Sequence, residues 1–362
     1  MSNDQQLISD SINRLFEKEV NRNVLESFEK GQHPESLWQL IEEGGYHRVL
    51  DVESGATWSD VQPILRAIGY YRVPLPLAET LLANWIASRA GLSECDGPAT
   101  IIDGGTLEAR AQAGTFLLSG TANRVPWGRQ AQRFVILCKI DGRWIACTVG
   151  AGNKGIASIV PGANVASEPR DTIRFDQCRC DEHAHVDLLD EDPVRTYGAL
   201  VRAVAMTGAA ESVLAQALQH ANVRIQFGRP IGKFQAIQHM LAEVATDVAA
   251  ALAAVSGACD AAGGRNAWIE VATAKVMAGG AAIRAARVTH QVHGAMGFTH
   301  EHMLHYGTRR IWSWRNEYGS DASWAGLVGA ASIRRGGSAF WPDVTEQVAR
   351  LQWQRNPIEQ ET

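Results

Sequence analysis

The spacing of apolar residues divides the chain into three parts that differ in predicted secondary structure. From Leu7 to about Gly91, apolar residues recur at the three- and four-residue intervals of helices that bury one face. Residues 99–186 hold short runs rich in β-branched and aromatic residues, cut by Gly, Asp and Asn, which predict strands. After Pro193, long alanine-rich apolar patterns return and predict the helices of a bundle. The predicted order is α, then β, then α.

This order predicts a mainly α chain with a central β domain. We expect an N-terminal helical domain (1–98), a small β-barrel-like domain (99–192), a C-terminal four-helix bundle (193–352) and a polar tail (353–362). Within the first domain, the prolines of residues 73–77 exclude a helix interior because proline lacks an amide donor. A rigid elbow between two helices is predicted there.

Composition narrows the class of protein. The 362 residues are 46% hydrophobic and 20% charged, as in an ordinary globular protein, and a net charge of -5 gives no footprint for nucleic-acid binding. Six cysteines are too sparse for a disulfide scaffold and are predicted to be reduced. The polar N-terminus does not resemble a signal peptide, and no run approaches ~18 uninterrupted apolar residues. We therefore expect a cytoplasmic protein without a membrane span.

The segment with the most specific composition is residues 224–235, RIQFGRPIGKFQ, which interrupts two helical stretches. Arg224, Arg229 and Lys233 place positive charge in a loop whose glycines let the backbone approach a ligand, and this composition suits a pyrophosphate. A surface turn between helices, with solvated basic residues, is the alternative. Composition alone does not decide between the two.

Residues 224–235 resemble the flavin-binding motif of the acyl-CoA dehydrogenase family, whose usual form is Arg, two residues, Phe-Gly and a short basic loop ending in Gln. A second segment, residues 291–299 (QVHGAMGFT), is similar to the family's Gln-x-x-Gly-Gly-x-Gly-Phe/Tyr and follows at the expected distance. The resemblance spans roughly residues 37–324, and the family's fold has the same α, β, α order.

The resemblance implies FAD as the cofactor, with its adenine and pyrophosphate end bound across a subunit interface. The residues that match this end are Arg224, Gln226, Phe227, Gln235, Gln291 and Gly294. Trp127, near the position of the family's stacking tryptophan, and Ser320 are further predicted cofactor contacts; core packing is the alternative for Phe227. The implied assembly is a homodimer, a homotetramer or a heteromer with a second family chain. The implied partners are an acyl-CoA substrate and an electron-transfer acceptor protein.

The family reaction removes an α-proton from an acyl-CoA thioester with a glutamate, while a hydride leaves the β-carbon for flavin N5. The usual glutamate lies in a Tyr-Glu-Gly-Thr stretch, but residues 316–320 read Asn-Glu-Tyr-Gly-Ser. Tyr318 therefore holds the usual position, and Gly198 holds the family's second position for a base. Because a carboxylate is the usual base, we predict Glu317 in that role. Tyr318 is predicted to orient the thioester or close the pocket.

The predicted function is FAD-dependent α,β-dehydrogenation of an acyl-CoA in fatty acid or steroid catabolism. Two alternatives stay open. One is a non-catalytic partner subunit of a heteromeric acyl-CoA dehydrogenase, similar to mixed-subunit enzymes that act on steroid side-chain thioesters. The other is a flavoenzyme of the same fold with different chemistry. No metal site is predicted, because the histidines between 290 and 305 have no carboxylate or cysteine at ligand spacing.

Overall fold

A computed structural model describes residues 3–112, 114–188, 190–264 and 266–345. Helices precede and follow a block of strands, which confirms the predicted α, β, α order. The predicted polar tail lies outside the described residues. The N-terminal helices are α1 (Asn3–Glu19), α2 (Arg22–Glu29), α3 (Glu35–Glu43), α4 (Trp58–Tyr71) and α5 (Leu77–Arg89). The predicted elbow lies between α4 and α5, where Pro74 and Pro76 precede the first residue of α5.

The described residues of the central block, the predicted β domain, form eight strands in two sheets. They are β1 (Ala99–Asp103), β2 (Leu107–Gln112), β3 (Thr115–Pro126), β4 (Arg133–Ile140), β5 (Arg143–Gly150), β6 (Ile156–Val160), β7 (Arg170–Arg179) and β8 (Glu182–His185). One sheet has the order β1-β4-β5-β8 and the other β2-β3-β7-β6. β1 pairs with β4 in parallel, and the other strand pairs are antiparallel.

Strand β4 shows how the first sheet is held in place. Alternate side chains of a strand point to opposite faces. Val135 and Leu137 therefore join the core shared with the helices, whereas Phe134 and Ile136 join a separate core with Phe175 between the two sheets. Because both faces of β4 are buried, its sequence is apolar almost throughout, as expected for a strand inside a sheet.

The C-terminal part is helical and includes a short hairpin made of two two-residue strands. Its elements are α6 (Pro193–Val223), β9 (Ile225–Gln226), β10 (Arg229–Pro230), α7 (Gln235–Ala261), α8 (Ala267–His293), α9 (Leu304–Trp314), α10 (Asp321–Arg335) and α11 (Gly337–Thr345). Two helices are long and apolar enough to cross a membrane by length and composition: α6, which is 83% buried in the most apolar window, and α7, which is 28% buried. Burial of α6 explains its apolar sequence as core packing.

Two glycines bring the N-terminal helices close to the bundle. A Cβ on Gly69 of α4 would lie 1.8 Å from the Ala205 carbonyl oxygen of α6, and one on Gly208 would lie 2.0 Å from the Arg66 oxygen. Only hydrogen fits in this reciprocal crossing, so the two backbones approach at a distance that a side chain would forbid. The close crossing fixes α6, which carries residues of the site described below.

Candidate functional site

A cavity of about 510 Å³ lies where the β domain meets the C-terminal helices. Its walls are the end of β1, the last residues of β3, Arg170 of β7, the start of α6 and residues 316–319 after α9. Glu317 and Tyr318, the two predicted catalytic residues, both line this cavity. On the β3 wall, Arg124 has a φ of 56° at an irregularity in the pairing with β7. Such a bulge bends the strand at the cavity rim.

Glu317 is held by two buried arginines. Arg170 donates to Oε1 from Nε at 2.8 Å and to Oε2 from Nη2 at 2.9 Å, while Arg202 of α6 donates from Nε to Oε2 at 2.7 Å. Asn164 Nδ2 adds a bond of 3.2 Å to Oε1. The Glu317 side chain is 8% exposed, and both arginine side chains are 3% exposed. Both carboxylate oxygens are therefore already engaged by charge-assisted hydrogen bonds.

These contacts set the protonation state of Glu317. Burial alone would raise its pKa, but the positive charges of Arg170 and Arg202 and their hydrogen bonds outweigh burial and lower the pKa to about 2. A base for an α-proton needs a desolvated carboxylate with a pKa raised toward neutrality. The geometry therefore does not support the prediction that Glu317 is the base. It gives Glu317 a structural role as a permanently ionised ion-pair partner.

The Glu317 pairs belong to a larger buried charge network that ties the three parts of the chain together. Arg202 also donates to Glu79 of α5, and Arg170 Nη2 donates to Glu168 at 3.1 Å. Glu168 in turn lies 3.2 Å from Arg310 Nε of α9. The six side chains are Glu79, Glu168, Arg170, Arg202, Arg310 and Glu317, so three carboxylates meet three guanidinium groups. Their charges balance, which makes their burial tolerable.

Tyr318 fills the space in which a family base would stand. A Cβ on Gly198 of α6 would lie 2.4 Å from Tyr318 Cδ1, so the phenol ring rests directly on this glycine. The two alternative base positions of the resemblance, 198 and 318, therefore meet at one place, and a phenol occupies it. Burial raises the pKa of Tyr318 to about 12, which keeps the phenol neutral and excludes it as a base near neutral pH.

The backbone of Tyr318 is in the left-handed region, with φ of 55°, which is rare for a bulky residue. Trp324 Nε1 donates to its carbonyl oxygen at 2.9 Å. The Glu317 ion pairs hold the preceding residue. Together these contacts impose the strained conformation, as surrounding structure must when a side chain sits in that region.

Lys275 of α8 supports the same loop from behind. Its ammonium group, on a residue that is 1% exposed, donates to the carbonyl oxygens of Trp314 at 3.0 Å and Arg315 at 2.8 Å. These are carbonyl groups at the end of α9, which lack helical partners. Burial lowers the pKa of Lys275 to about 7, with Arg202 and Arg315 acting in the same direction and Glu317 and Asp321 opposing.

The predicted nucleotide-end residues lie outside the cavity. Arg224, Gln226, Phe227 and Gln235 are exposed around the β9-β10 hairpin, and none of them lines the cavity. Phe227 is 91% exposed, so core packing is excluded for it. Its backbone has a φ of 52° and that of Gly228 a φ of 78°, which form the turn of the hairpin.

Stacked histidines join the two predicted flavin motifs. The rings of His220, near the end of α6, and His293, the last residue of α8, have centroids 4.5 Å apart. Arg224 follows His220 by one helical turn, and Gly294 directly follows His293 with a φ of 59°. Gln291 and Gly294 are exposed. The fold thus brings the ends of the two helices that carry these motifs into contact.

Two predicted cofactor contacts have other roles. Trp127 is 2% exposed and packs on Phe28 of α2, with ring centroids 5.6 Å apart, so it does not face the cavity or replace a stacking tryptophan. Ser320 is the N-cap of α10, where its Oγ accepts from the Ser323 amide at 3.2 Å. Packing and helix capping account for both residues.

Sequence reasoning missed the buried charges. Single charged residues inside apolar helical runs were the available signal: Glu79 in LAETLLANW, Arg202 in ALVRAVAM and Lys275 in ATAKVMAGG. A charged residue in such a position needs a buried partner. The partners lie between 39 and 123 residues away along the chain, which the sequence does not reveal.

Residues 196–331 match the family described as acyl-CoA dehydrogenase, C-terminal domain. The chain is 28% identical over 284 residues to acyl-CoA dehydrogenase IpdE2 of Mycobacterium tuberculosis, which covers 77% of this chain and 80% of the relative.

Solved structures share the whole fold. A chain of the ChsE4-ChsE5 complex from Mycobacterium tuberculosis superimposes with a TM-score of 0.83 at 21% identity, covering 91% of this chain and 97% of that chain. A chain of the Tcur3481-Tcur3483 steroid ACAD gives a TM-score of 0.82 at 19% identity, covering 92% and 98%. At these identities the likeness establishes the fold.

Proposed function

Because the chain belongs to the acyl-CoA dehydrogenase family, we propose that it is a subunit of a heteromeric, FAD-dependent acyl-CoA dehydrogenase. In this proposal it supplies the surface for the nucleotide end of FAD, and a second family chain supplies the catalytic base and the flavin-ring pocket. The proposal adopts the partner-subunit alternative in place of a self-sufficient dehydrogenase.

The main support for the proposal is that neither of the two positions at which family members place the catalytic glutamate holds a free carboxylate here. Glu317 is ionised and bound on both oxygens by Arg170 and Arg202. Tyr318 and Gly198 occupy the positions at which family members place a glutamate, and they fill them with a neutral ring. A base must reach the α-carbon with a free lone pair. This chain offers none at either position.

The exposed surface around the β9-β10 hairpin has features that support binding of a dinucleotide. Gly228 leaves open space where a Cβ would stand, so a ligand can approach the hairpin backbone. Arg224 would pair with a diphosphate, and the exposed ring of Phe227 would stack on an adenine. FAD bound here would supply the acceptor for the hydride that leaves the β-carbon of the acyl group.

The residues that would contact the flavin ring fit the cofactor less well than those at the nucleotide end. Trp127 is packed on Phe28, and the carbonyl oxygen of Pro126 already accepts from Thr100 Oγ1 at 2.7 Å. Proline also lacks the hydroxyl and amide donors that could bond a flavin ring. The contrast between an exposed nucleotide surface and a ring end that lacks a stacking tryptophan and donors supports a half-site.

Exposed apolar surface supports assembly with a second chain. In the most apolar window of helix α7, 28% of the residues are buried. Near the two flavin motifs, Val223 and Phe298 are each 70% exposed, and Ile225 is 62% exposed. Large exposed apolar side chains near one surface are typical of protein interfaces. The two structurally similar proteins, the ChsE4-ChsE5 complex and the Tcur3481-Tcur3483 steroid ACAD, are each named for two different chains.

We further propose an acyl-CoA substrate with a bulky, steroid-derived acyl group and a separate electron-transfer protein as acceptor. Support for the substrate is the word steroid in the name of one relative, and family membership supports the acceptor. A cytoplasmic location is proposed on the six cysteines, all free and buried.

The test compares the chain purified alone with the chain co-expressed with a second family chain from the same source. FAD per complex is measured from its visible absorption. We expect the pair to co-purify with FAD and the chain alone to hold little. Arg224→Ala should lower the FAD content of the pair at least tenfold, because a charge-assisted bond to phosphate is lost. Arg143→Ala, an exposed arginine of β5, is the matched control and should change nothing.

A flavin-replete homomer would contradict the heteromer. Full FAD content in the Arg224→Ala pair would contradict the assignment of the nucleotide end. The two results are independent, since the first concerns assembly and the second concerns the cofactor contact.

A further inference from the structure

Three histidines from three elements meet under the nucleotide-end surface. His293 of α8 stacks on His220 of α6 at 4.5 Å, and its ring centroid is 4.6 Å from that of His302 in the loop before α9. We call these three residues the histidine cluster. His293 is buried, whereas His220 and His302 are partly exposed. The cluster is therefore reachable from the surface that carries Arg224.

Hydrogen bonds fix the tautomers of two members. His293 Nδ1 lies 2.7 Å from the Thr289 carbonyl oxygen, which can only accept, so Nδ1 carries the hydrogen. Its Nε2 is then a lone pair, and it is buried with no hydrogen-bond partner. His302 Nδ1 accepts from the Leu304 amide at 3.1 Å, so neutral His302 carries its hydrogen on Nε2. The cluster can therefore take up a proton at His293 Nε2 or on the partly exposed His220 ring, whereas His302 Nδ1 is already engaged by the Leu304 amide.

The charges that face the cluster oppose protonation. Burial lowers the pKa of His220, and His293 and Arg224 lower it further. Burial also lowers the pKa of His293, against a small opposing effect of its bond to Thr289. Burial is the main cause that lowers the pKa of His302, and the charges of His293, His220, His305 and His290 lower it further.

From α9, His305 also faces the cluster. Burial lowers the pKa of His305, while Glu29 of α2 acts to raise it and Arg309 to lower it. The cluster is therefore neutral at pH 7 while no anion is near.

We propose that the histidine cluster is a proton-linked site for a diphosphate group. A diphosphate that binds beside Arg224 places negative charge next to His220, whose ring is one helical turn before that arginine and stacks on His293. An opposite charge at this range favours the protonated imidazole. Binding is thus coupled to proton uptake, and the affinity for the diphosphate rises as pH falls toward 6. This inference rests on the proposed function, since it concerns the same nucleotide end.

The test measures protons taken up on binding. ADP-ribose, whose diphosphate is esterified at both ends and has no ionisation near neutral pH, is titrated into the full-length protein by calorimetry at pH 6.8, in buffers with different ionisation enthalpies. The slope of observed enthalpy against buffer enthalpy gives the proton count. Adenosine is the parallel probe without a diphosphate. We expect uptake of about half a proton with ADP-ribose and none with adenosine, because the charge is the cause.

Variants assign the effect to the cluster. His220→Asn, on a partly exposed residue, should abolish most of the uptake and flatten the dependence of affinity on pH. His293→Gln tests the buried member, and its folding is checked by circular dichroism. His239→Asn, on an exposed position of α7, is the matched control and should behave like the wild type.

Binding of ADP-ribose without proton uptake would overturn the inference and leave the proposed function intact. Uptake that persists in His220→Asn and in folded His293→Gln would also overturn it. If ADP-ribose does not bind, the inference fails, whereas the FAD content of the co-expressed pair decides the proposed function separately.

Discussion

Replacing Glu317 by glutamine is expected to lower the free energy of unfolding by about 3 kcal/mol at pH 7. The pKa of Glu317 falls from 4.5 to about 2 in the folded protein. At about 1.36 kcal/mol per pKa unit, this difference corresponds to roughly 3 kcal/mol of stabilisation by Arg170 and Arg202. Because the side chain is 8% exposed, solvent screening does not reduce this figure much. Loss of one member of a buried ion pair costs a similar ~3–5 kcal/mol.

The pH dependence has a defined sign. A carboxylate whose pKa is lowered by folding contributes its full stabilisation above the unfolded value of 4.5 and loses it as pH falls toward 2. The difference between wild type and Glu317→Gln should therefore be constant from pH 8 to about 5.5. It should shrink below pH 4.5.

The assay is urea unfolding followed by tryptophan fluorescence, with Glu43→Gln as a control. Glu43 is exposed on α3, and its replacement should change the free energy by less than ~0.5 kcal/mol. A Glu317→Gln protein as stable as the wild type would refute the structural role of the ion pairs. Loss of dehydrogenation without loss of stability would restore Glu317 as the base.

Three further predictions address the neighbouring residues. Gly198→Ala should destabilise the chain by roughly 1–3 kcal/mol, because its Cβ would lie 2.4 Å from the Tyr318 ring. The same change should cost much less in a Tyr318→Gly background. Equal costs in both backgrounds, measured by urea unfolding, would contradict the contact. Lys275→Met should remove a rise in stability between pH 7 and 10.5. Folding lowers the pKa of Lys275 from 10.5 to about 7, so the charged side chain destabilises the fold below pH 7 and this penalty is relieved as pH rises to 10.5; an unchanged slope would oppose it. Phe227→Ser should leave the melting temperature unchanged but weaken FAD retention in the co-expressed pair, because the ring is 91% exposed; a large drop in melting temperature would instead indicate a packing role.

Local patterns were enough to predict the architecture. Helical spacing before Gly91 and after Pro193, and β-rich runs between them, depend on neighbouring residues and survive in the folded chain. The division of the strands between two sheets was not predicted, because the alternation of apolar residues does not determine which strands pair. The pairing of β1 with β4 and of β3 with β7 sets this division, and pairing is a long-range property.

The candidate site was predicted in part. Glu317 and Tyr318 do line the cavity, as their register with the family motif suggested. The role of Glu317 could not be inferred, because it depends on Arg170 and Arg202, which are 147 and 115 residues away along the chain. Trp127 was misplaced for the same reason, since Phe28, which covers it, lies on α2.

The most direct test of the central claim is the visible spectrum during anaerobic addition of acyl-CoA thioesters. Straight, branched and steroid acyl-CoAs are added to the chain purified alone and reconstituted with FAD, and to the co-expressed pair. The half-site account predicts that no thioester bleaches the flavin of the chain alone, whereas a steroid acyl-CoA bleaches that of the pair. Stoichiometric bleaching in the chain alone would contradict the account, because this chain would then hold a base of its own.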